Sequence, residues 1–251
     1  MSSDQGVSGG HAGEPLLRAV NLSAGYGSLA AVRDLDLKVD RGEVVALLGA
    51  NGAGKTTTLL TLAGELAPLS GEVWLRGQPA GTSLFRRARD GVGLITEEKT
   101  VFMNLTVAEN LRLGRGEPAA ALALFPELRD HLGRRAGLLS GGQQQMLALV
   151  RVLAGRPTLL LADELSLGLA PILVRRLLAA VRAAADEDGV GVLLVEQHVR
   201  RALEVADRAY VLQRGRIVLS APAAELRGRT AEIEASYLST PVEPQPAPLA
   251  P

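Results

Sequence analysis

The stretch Gly49-Ala50-Asn51-Gly52-Ala53-Gly54-Lys55-Thr56 constrains this chain more than any other. It reads G-x-x-x-x-G-K-T, after the apolar run Val44-Val45-Ala46-Leu47-Leu48 and before a helix-like segment from Lys55 to Leu66. A buried strand, a glycine loop and a helix N-terminus in that order make a cradle for phosphate. Glycine lets the backbone curl until successive N–H groups converge on anionic oxygens. Lys55 can reach β- and γ-phosphates, the Thr56 hydroxyl can hold Mg²⁺, and Thr57 closes the loop. The ligand read from this stretch is a nucleotide with its magnesium.

Bulk properties narrow the frame. A chain of 251 residues with 47% apolar content is globular, with room for one large core or two domains. Basic and acidic residues balance at 27 each, so no broad basic field offers itself to nucleic acid. The absence of cysteine excludes disulfides, thiolate catalysis and Cys–zinc sites, and the 3 histidines are scattered. No apolar run approaches the ~20 residues of a membrane span. Residues 1–14 read as a Ser/Gly-rich tail without a secretory apolar region, and 241–251 as a Pro-rich tail. These features point to the cytosol, with any membrane role exercised through a partner.

Between the tails, 15–240 reads as one α/β unit. Leu16 to Ala24 and Ala31 to Val39 are strand-like and form a small antiparallel layer. Tyr26 lies between them, either a turn residue or a surface for adenine to stack on. Strands are expected over Gly71–Gly77 and Gly91–Glu97. A helix capped by Thr106 with Glu109 three residues on, and a helical stretch over Pro118–Leu132 broken by Pro126, suggest a helical insertion at about 98–156. Leu139-Ser140-Gly141-Gly142-Gln143 opens a further amphipathic helix; Ser-Gly-Gly leaves bare N–H groups and a hydroxyl, a second anion site. Thr158 to Ala162 is a buried strand ending in Asp163-Glu164. Beside a phosphate loop, the aspartate can order Mg²⁺ and the glutamate can deprotonate water. Gly191 to Glu196 is another buried strand, and His198 just past its end is placed to touch a γ-phosphate or to cap the next helix. Alternating apolar strands and helices imply a mostly parallel sheet covered on both faces.

In order, Tyr26, the loop at 49–56, LSGGQ at 139–143, DE at 163–164 and His198 resemble the ATP-binding subunits of ABC transporters over Leu16 to Leu226. The resemblance implies a P-loop NTPase core with a small antiparallel layer and an inserted, shortened helical subdomain. It implies that Ser140, Gly141 and Gly142 touch the γ-phosphate held by an opposite subunit, so that two chains sandwich two ATPs. Ser166-Leu167-Gly168-Leu169-Ala170-Pro171, Val101-Phe102, Leu105-Thr106-Val107, Glu109-Asn110-Leu111 and Gln144 to Ala148 are similar to the LivF type of branched-chain amino acid importers. That type implies Glu97 near Mg²⁺ and the attacking water, at the start of a loop facing the membrane partner. It also implies a second, related LivG-like ATPase chain or else a homodimer, two permeases, an extracytoplasmic solute-binding protein acting indirectly, and a place at the cytoplasmic membrane face. Leu165 and Thr96 stand where prolines are usual, Glu98-Lys99-Thr100 replaces a more basic run, and Asn110 to Ser140 is short for the family.

Other readings differ in their tests. Urea, amides or aromatic acids are alternative cargoes. A soluble ABC ATPase acting on ribosomes or DNA would bind nucleic acid in a salt-sensitive way. A regulatory module that does not hydrolyse ATP would lack turnover even with its partners, against which stand Lys55, Asp163, Glu164 and His198 together.

Overall fold

The computed structural model describes residues 14–98 and 101–237. Apart from Glu14, the tails expected at 1–14 and 241–251 lie outside the described residues, as do Lys99 and Thr100. The strands are β1 (Leu17–Tyr26), β2 (Leu29–Val39), β3 (Val44–Leu48), β4 (Ser70–Leu75), β5 (Gln78–Pro79), β6 (Val92–Ile95), β7 (Leu159–Asp163), β8 (Gly191–Glu196), β9 (Arg208–Gln213) and β10 (Arg216–Pro222). The helices are α1 (Lys55–Ala63), α2 (Leu84–Arg89), α3 (Val107–Arg112), α4 (Pro118–Leu124), α5 (Gly141–Leu153), α6 (Pro171–Asp188), α7 (Val199–Val205), α8 (Ala223–Leu226) and α9 (Thr230–Ser236).

Two sheets form. One is antiparallel, in the order β2-β1-β4-β5; the other runs β10-β9-β3-β8-β7-β6. In the second, β3 is parallel to β8 and β9, and β7 is parallel to β8 and β6. Only β10 runs antiparallel there, closed on β9 by a turn with Arg214 and Gly215 both at positive φ, the hairpin geometry that suits strand twist. The strand expected over Gly71–Gly77 joins the antiparallel layer through β1.

Every residue of β3, β7 and β8 is buried. Their near-continuous apolar runs fit a sheet covered on both faces, and the period of two divides each strand between two cores. Val44, Ala46 and Leu48, with Leu160, Ala162, Val192 and Leu194, face the core shared with α5, α6 and α7. Val45 and Leu47, with Leu161, Leu193 and Val195, face the core shared with α1 and the antiparallel sheet. Each fully buried leucine or valine contributes roughly 2 kcal/mol, and this middle layer buries them on both faces.

Helices α3 and α4, a 3-10 turn at Pro126–His131 and α5 follow one another between β6 and β7. Pro126 ends α4 as its missing N–H requires. Phe125, Leu128 and Leu111 fill the space under α5. Arg87, nearly buried, donates to the Thr61 and Leu62 carbonyls at 2.6 Å each and to the Gly81 carbonyl at 2.7 Å. It thereby satisfies carbonyls that the end of α1 leaves open.

Candidate active site

The C-terminal ends of β3, β7 and β8 lie side by side, where ligands gather in parallel sheets. Gly49 leaves β3 so close to β9 that a Cβ there would stand 2.6 Å from the Leu212 carbonyl oxygen. Gly54, at φ 104°, caps α1 in the left-handed region, and a Cβ there would meet Val32 Cγ2 at 2.7 Å. No side chain caps α1, so its first amides and its positive dipole end are open to an anion.

Lys55 is almost fully buried. Its ammonium donates to the carbonyls of Gly49 at 2.9 Å and Ala50 at 3.2 Å, and stands 3.4 Å from Glu164 Oε1. Thr56 Oγ1 donates to Asp163 Oδ2 at 2.8 Å. Asp163 Oδ1 is buried without a hydrogen-bond partner. Burial, with the charges of Glu164 and Glu97 adding to it, pushes the Asp163 carboxyl up to about 6 against the pull of Thr56 and Lys55. An orphaned carboxylate oxygen beside a hydroxyl is a hard donor set suited to Mg²⁺. No group of three acidic or histidine side chains able to hold a metal occurs among the described residues. These two oxygens would fill only part of such an ion's shell.

Glu164 adopts φ 48°, a conformation few non-glycine residues take and one that costs about 1–3 kcal/mol. Its N–H donates to the Val195 carbonyl at 2.9 Å, which holds it there. Glu97 is exposed and borders the same cleft of about 340 Å³, together with Asn51, Gly52, Lys55, Thr56 and Glu164. Ala31, Leu167 and Gln197 also line it, three residues that sequence reasoning did not single out.

Tyr26 and His198 do not line this cleft. Tyr26 is 61% exposed at the tip of the β1–β2 hairpin, opposite Leu29. His198 is exposed at the N-cap of α7 and makes no side-chain cap bond, while its neighbour Gln197 faces the cleft. Ser140, Gly141, Gly142 and Gln143 also lie outside it. The Ser140 hydroxyl is engaged within its own helix cap. It accepts the Gln143 N–H at 3.3 Å, while Gln143 Oε1 accepts the Ser140 N–H at 2.9 Å, a closed capping box. Gln143 Nε2 lies 2.8 Å from His131 Nε2.

One polar pair was missed altogether. Glu196, wholly buried, is bound by Ser166. An ionisable residue closing an otherwise apolar strand was the signal for it.

Comparison with known proteins supplies the context. The family described as ABC transporter matches residues 32–166. The chain is 42% identical over 212 residues to the high-affinity branched-chain amino acid transport ATP-binding protein BraG of Pseudomonas aeruginosa, covering 79% of this chain and 89% of the relative. It is 37% identical to the probable branched-chain amino acid transport ATP-binding protein LivF of Archaeoglobus fulgidus, covering 84% and 94%. A solved ATP-binding subunit of an ABC transporter superposes with a TM-score of 0.76 at 29% identity, covering 89% of this chain and 100% of that one.

Proposed function

The chain belongs to the ABC transporter family, and from that premise we propose that it is the ATP-hydrolysing subunit of an importer for branched-chain amino acids. The observation that carries the ATPase reading is the cluster Lys55–Glu164 and Thr56–Asp163 under the phosphate loop. The likeness to BraG carries the cargo.

ATP enters with its triphosphate in the curve of Gly49 to Thr57, and Tyr26 on its hairpin stacks on adenine. The opened amides of α1 take the phosphate oxygens. Lys55 exchanges the carbonyls of Gly49 and Ala50 for the β- and γ-phosphates, since a charged partner binds the ammonium more strongly than a carbonyl. That exchange also frees Glu164 from its ion pair. Thr56 and Asp163, with Glu97, would hold Mg²⁺, which neutralises charge on the β- and γ-oxygens. Glu164 orients a water and takes its proton while the water oxygen bonds to the γ-phosphorus. The bridging P–O bond breaks and ADP departs. His198 is assigned the γ-phosphate contact, which it makes only once the second subunit closes the site.

The remaining wall is Ser140-Gly141-Gly142, with Gln143 as its brace, from a second ATP-binding subunit. In the assembled transporter this is a related LivG-like chain; a second copy of this chain is the alternative. Permeases carry the closing motion across the membrane through the Glu97 loop, with the solute-binding protein acting through them. Those permeases tie the chain to the cytoplasmic face of the membrane; no helix among the described residues is long and apolar enough to cross it. A groove of about 280 Å³ lined by Phe102, Arg151 and Leu113 continues from β6 and that loop and suits a permease helix.

Substituting Glu164→Gln keeps the shape and removes the base. ATP binding stays within about twofold and turnover falls roughly 10²- to 10⁴-fold. Near-normal turnover in the variant removes Glu164 from this role. For the cargo, the chain purified with the permeases encoded beside it is assayed for ATPase stimulation through the binding protein. Leucine, isoleucine and valine stimulate; stimulation by urea, amides or aromatic acids alone reassigns it.

A further inference from the structure

Glu196 ends β8 opposite Leu48, the residue that precedes the phosphate loop. Its side chain is wholly buried, and no step of the hydrolysis uses it. Both carboxyl oxygens are occupied by one residue. The Ser166 N–H donates to Oε1 at 3.1 Å and the Ser166 hydroxyl donates to Oε2 at 2.8 Å. One residue earlier in β8, Val195 accepts the N–H of Glu164 at 2.9 Å. Two successive residues of β8 thus grip Glu164 and Ser166. Between them runs a tight turn, closed by the Leu167 N–H on the Glu164 carbonyl at 3.2 Å.

The grip has a reason. Glu164 holds a left-handed backbone that a non-glycine residue leaves unless it is restrained on both sides. Val195 restrains the amide of Glu164, and Glu196 restrains the turn that follows. On its other side Glu196 is joined directly to Gln197, which lines the cleft, and to His198. An acid in this position is costly for stability alone, because burial pushes its carboxyl up to about 7. What the side chain adds is two coplanar polar atoms that engage the N–H and the hydroxyl of the same residue together.

We propose that Glu196 is a positioning residue for ATP hydrolysis. Through Ser166 it locks the turn bearing Glu164 to the end of β8, so that the Glu164 carboxylate and Gln197 face the γ-phosphate as one unit. The inference rests on Glu164 being the base.

The test measures kcat and KM for ATP, and affinity for a fluorescent ATP analogue, in Glu196→Ala, Glu196→Gln, Ser166→Ala and the double alanine variant, with Glu164→Gln as reference. Loss of the link in Glu196→Ala lowers kcat roughly 10- to 100-fold, because small misplacement of a catalytic group costs that much, with nucleotide affinity within about twofold. Ser166→Ala falls less, and the double variant falls no further than Glu196→Ala, since the two act through one contact. Glu196→Gln accepts the Ser166 N–H with its carbonyl and donates to the hydroxyl, so it stays within a few-fold of wild type. A role in stability alone would lower kcat only in proportion to the loss of nucleotide-binding sites, so kcat is taken per mole of bound analogue, on which basis such a variant keeps the wild-type rate.

Hydrogen exchange over 163–169 gives a readout independent of turnover: slow in wild type and Glu196→Gln, at least about tenfold faster in Ser166→Ala and Glu196→Ala. If Glu164→Gln is inactive while the Glu196→Ala or Ser166→Ala variants turn over and exchange like wild type, the inference is overturned. If Glu164→Gln itself turns over normally, the base assignment fails instead.

Discussion

At the scale of single residues, the site is a set of charges held away from water. Glu196 carries a measurable consequence. Burial favours its neutral form, with Glu164 raising it further and Ser166 and Arg201 opposing, and the balance pushes the carboxyl from an ordinary 4.5 up to about 7. The folded protein therefore holds this proton more tightly than the unfolded chain does. The stabilising contribution is complete below about pH 4.5 and is lost as pH rises through about 7. Urea unfolding of wild type and Glu196→Gln across pH 4.5 to 8 isolates this share, because glutamine does not titrate. Relative to the variant, wild type loses on the order of 3 kcal/mol over that range. Parallel pH curves for the two proteins would contradict it. Legibility also divides at this scale. The phosphate loop, Lys55 and Thr56 were readable because fixed spacing along the chain is itself the geometry, and the DE pair because two acids end an apolar strand in a chain that carries such a loop. Glu196 was only half readable: an acid closing an apolar strand signals a buried partner, but not that the partner is Ser166 in the turn after β7. His198 and Tyr26 show the same limit. Their order along the chain was readable, but their distance from the cleft depends on how strand ends and hairpin tips are turned.

Elements place those residues, and their ends matter more than their lengths. The capping box expected at Thr106 forms: its hydroxyl accepts the Glu109 N–H at 3.2 Å, and Glu109 Oε2 accepts the Thr106 N–H at 2.7 Å. A local motif of this kind is legible because all its partners lie within four residues. What sequence reasoning could not supply is what fastens α3 to the loop after Glu97. Asn110 does so from a fully buried position. Its side-chain amide donates to the carbonyls of Phe102 at 3.0 Å, Leu105 at 3.3 Å and Thr106 at 3.0 Å, and its carbonyl accepts the Phe102 N–H at 2.9 Å. Removing the amide strands several backbone groups at once. Asn110→Ala is expected to destabilise the protein by about 2–3 kcal/mol, read from urea midpoints at unchanged slope. It should loosen 101–106 before any other segment in hydrogen exchange, and a loss spread evenly over the molecule would refute the local assignment. The helix ends at the site follow the same logic. Gly54 leaves the start of α1 open to phosphate, whereas Ser140 and Gln143 close the start of α5 on themselves. One end leaves its amides uncapped and the other is braced by its own side chains.

At the scale of the whole molecule, the phosphate-loop cleft and the Ser140–Gln143 segment do not meet among the described residues. The cleft over the phosphate loop is lined by Lys55, Thr56, Glu97 and Glu164 but by none of Ser140 to Gln143. Apolar side chains stand exposed beside each: Leu167 at the cleft, Leu138 just before the Ser-Gly-Gly segment and Ile172 at the start of α6. Exposed apolar groups bordering functional segments are what a second subunit would cover. In a two-fold sandwich, each ATP lies between one chain's loop and the other chain's Ser140-Gly141-Gly142, so a lesion in either segment strikes a different wall of the same chamber. Lys55→Ala removes the loop wall, and Ser140→Lys removes the facing one. In a pure preparation of this chain only a second copy can supply the missing wall. Each variant alone then has no intact chamber and hydrolyses almost no ATP. Mixed in equal amounts they pair at random. About half of the dimers are mixed, each with one intact chamber of two, and turnover returns to roughly a quarter of wild type. Recovery should rise and saturate with total protein concentration, as association demands. A mixture as inactive as its parts would rule out completion by a second copy and leave a related subunit as the donor of the facing wall.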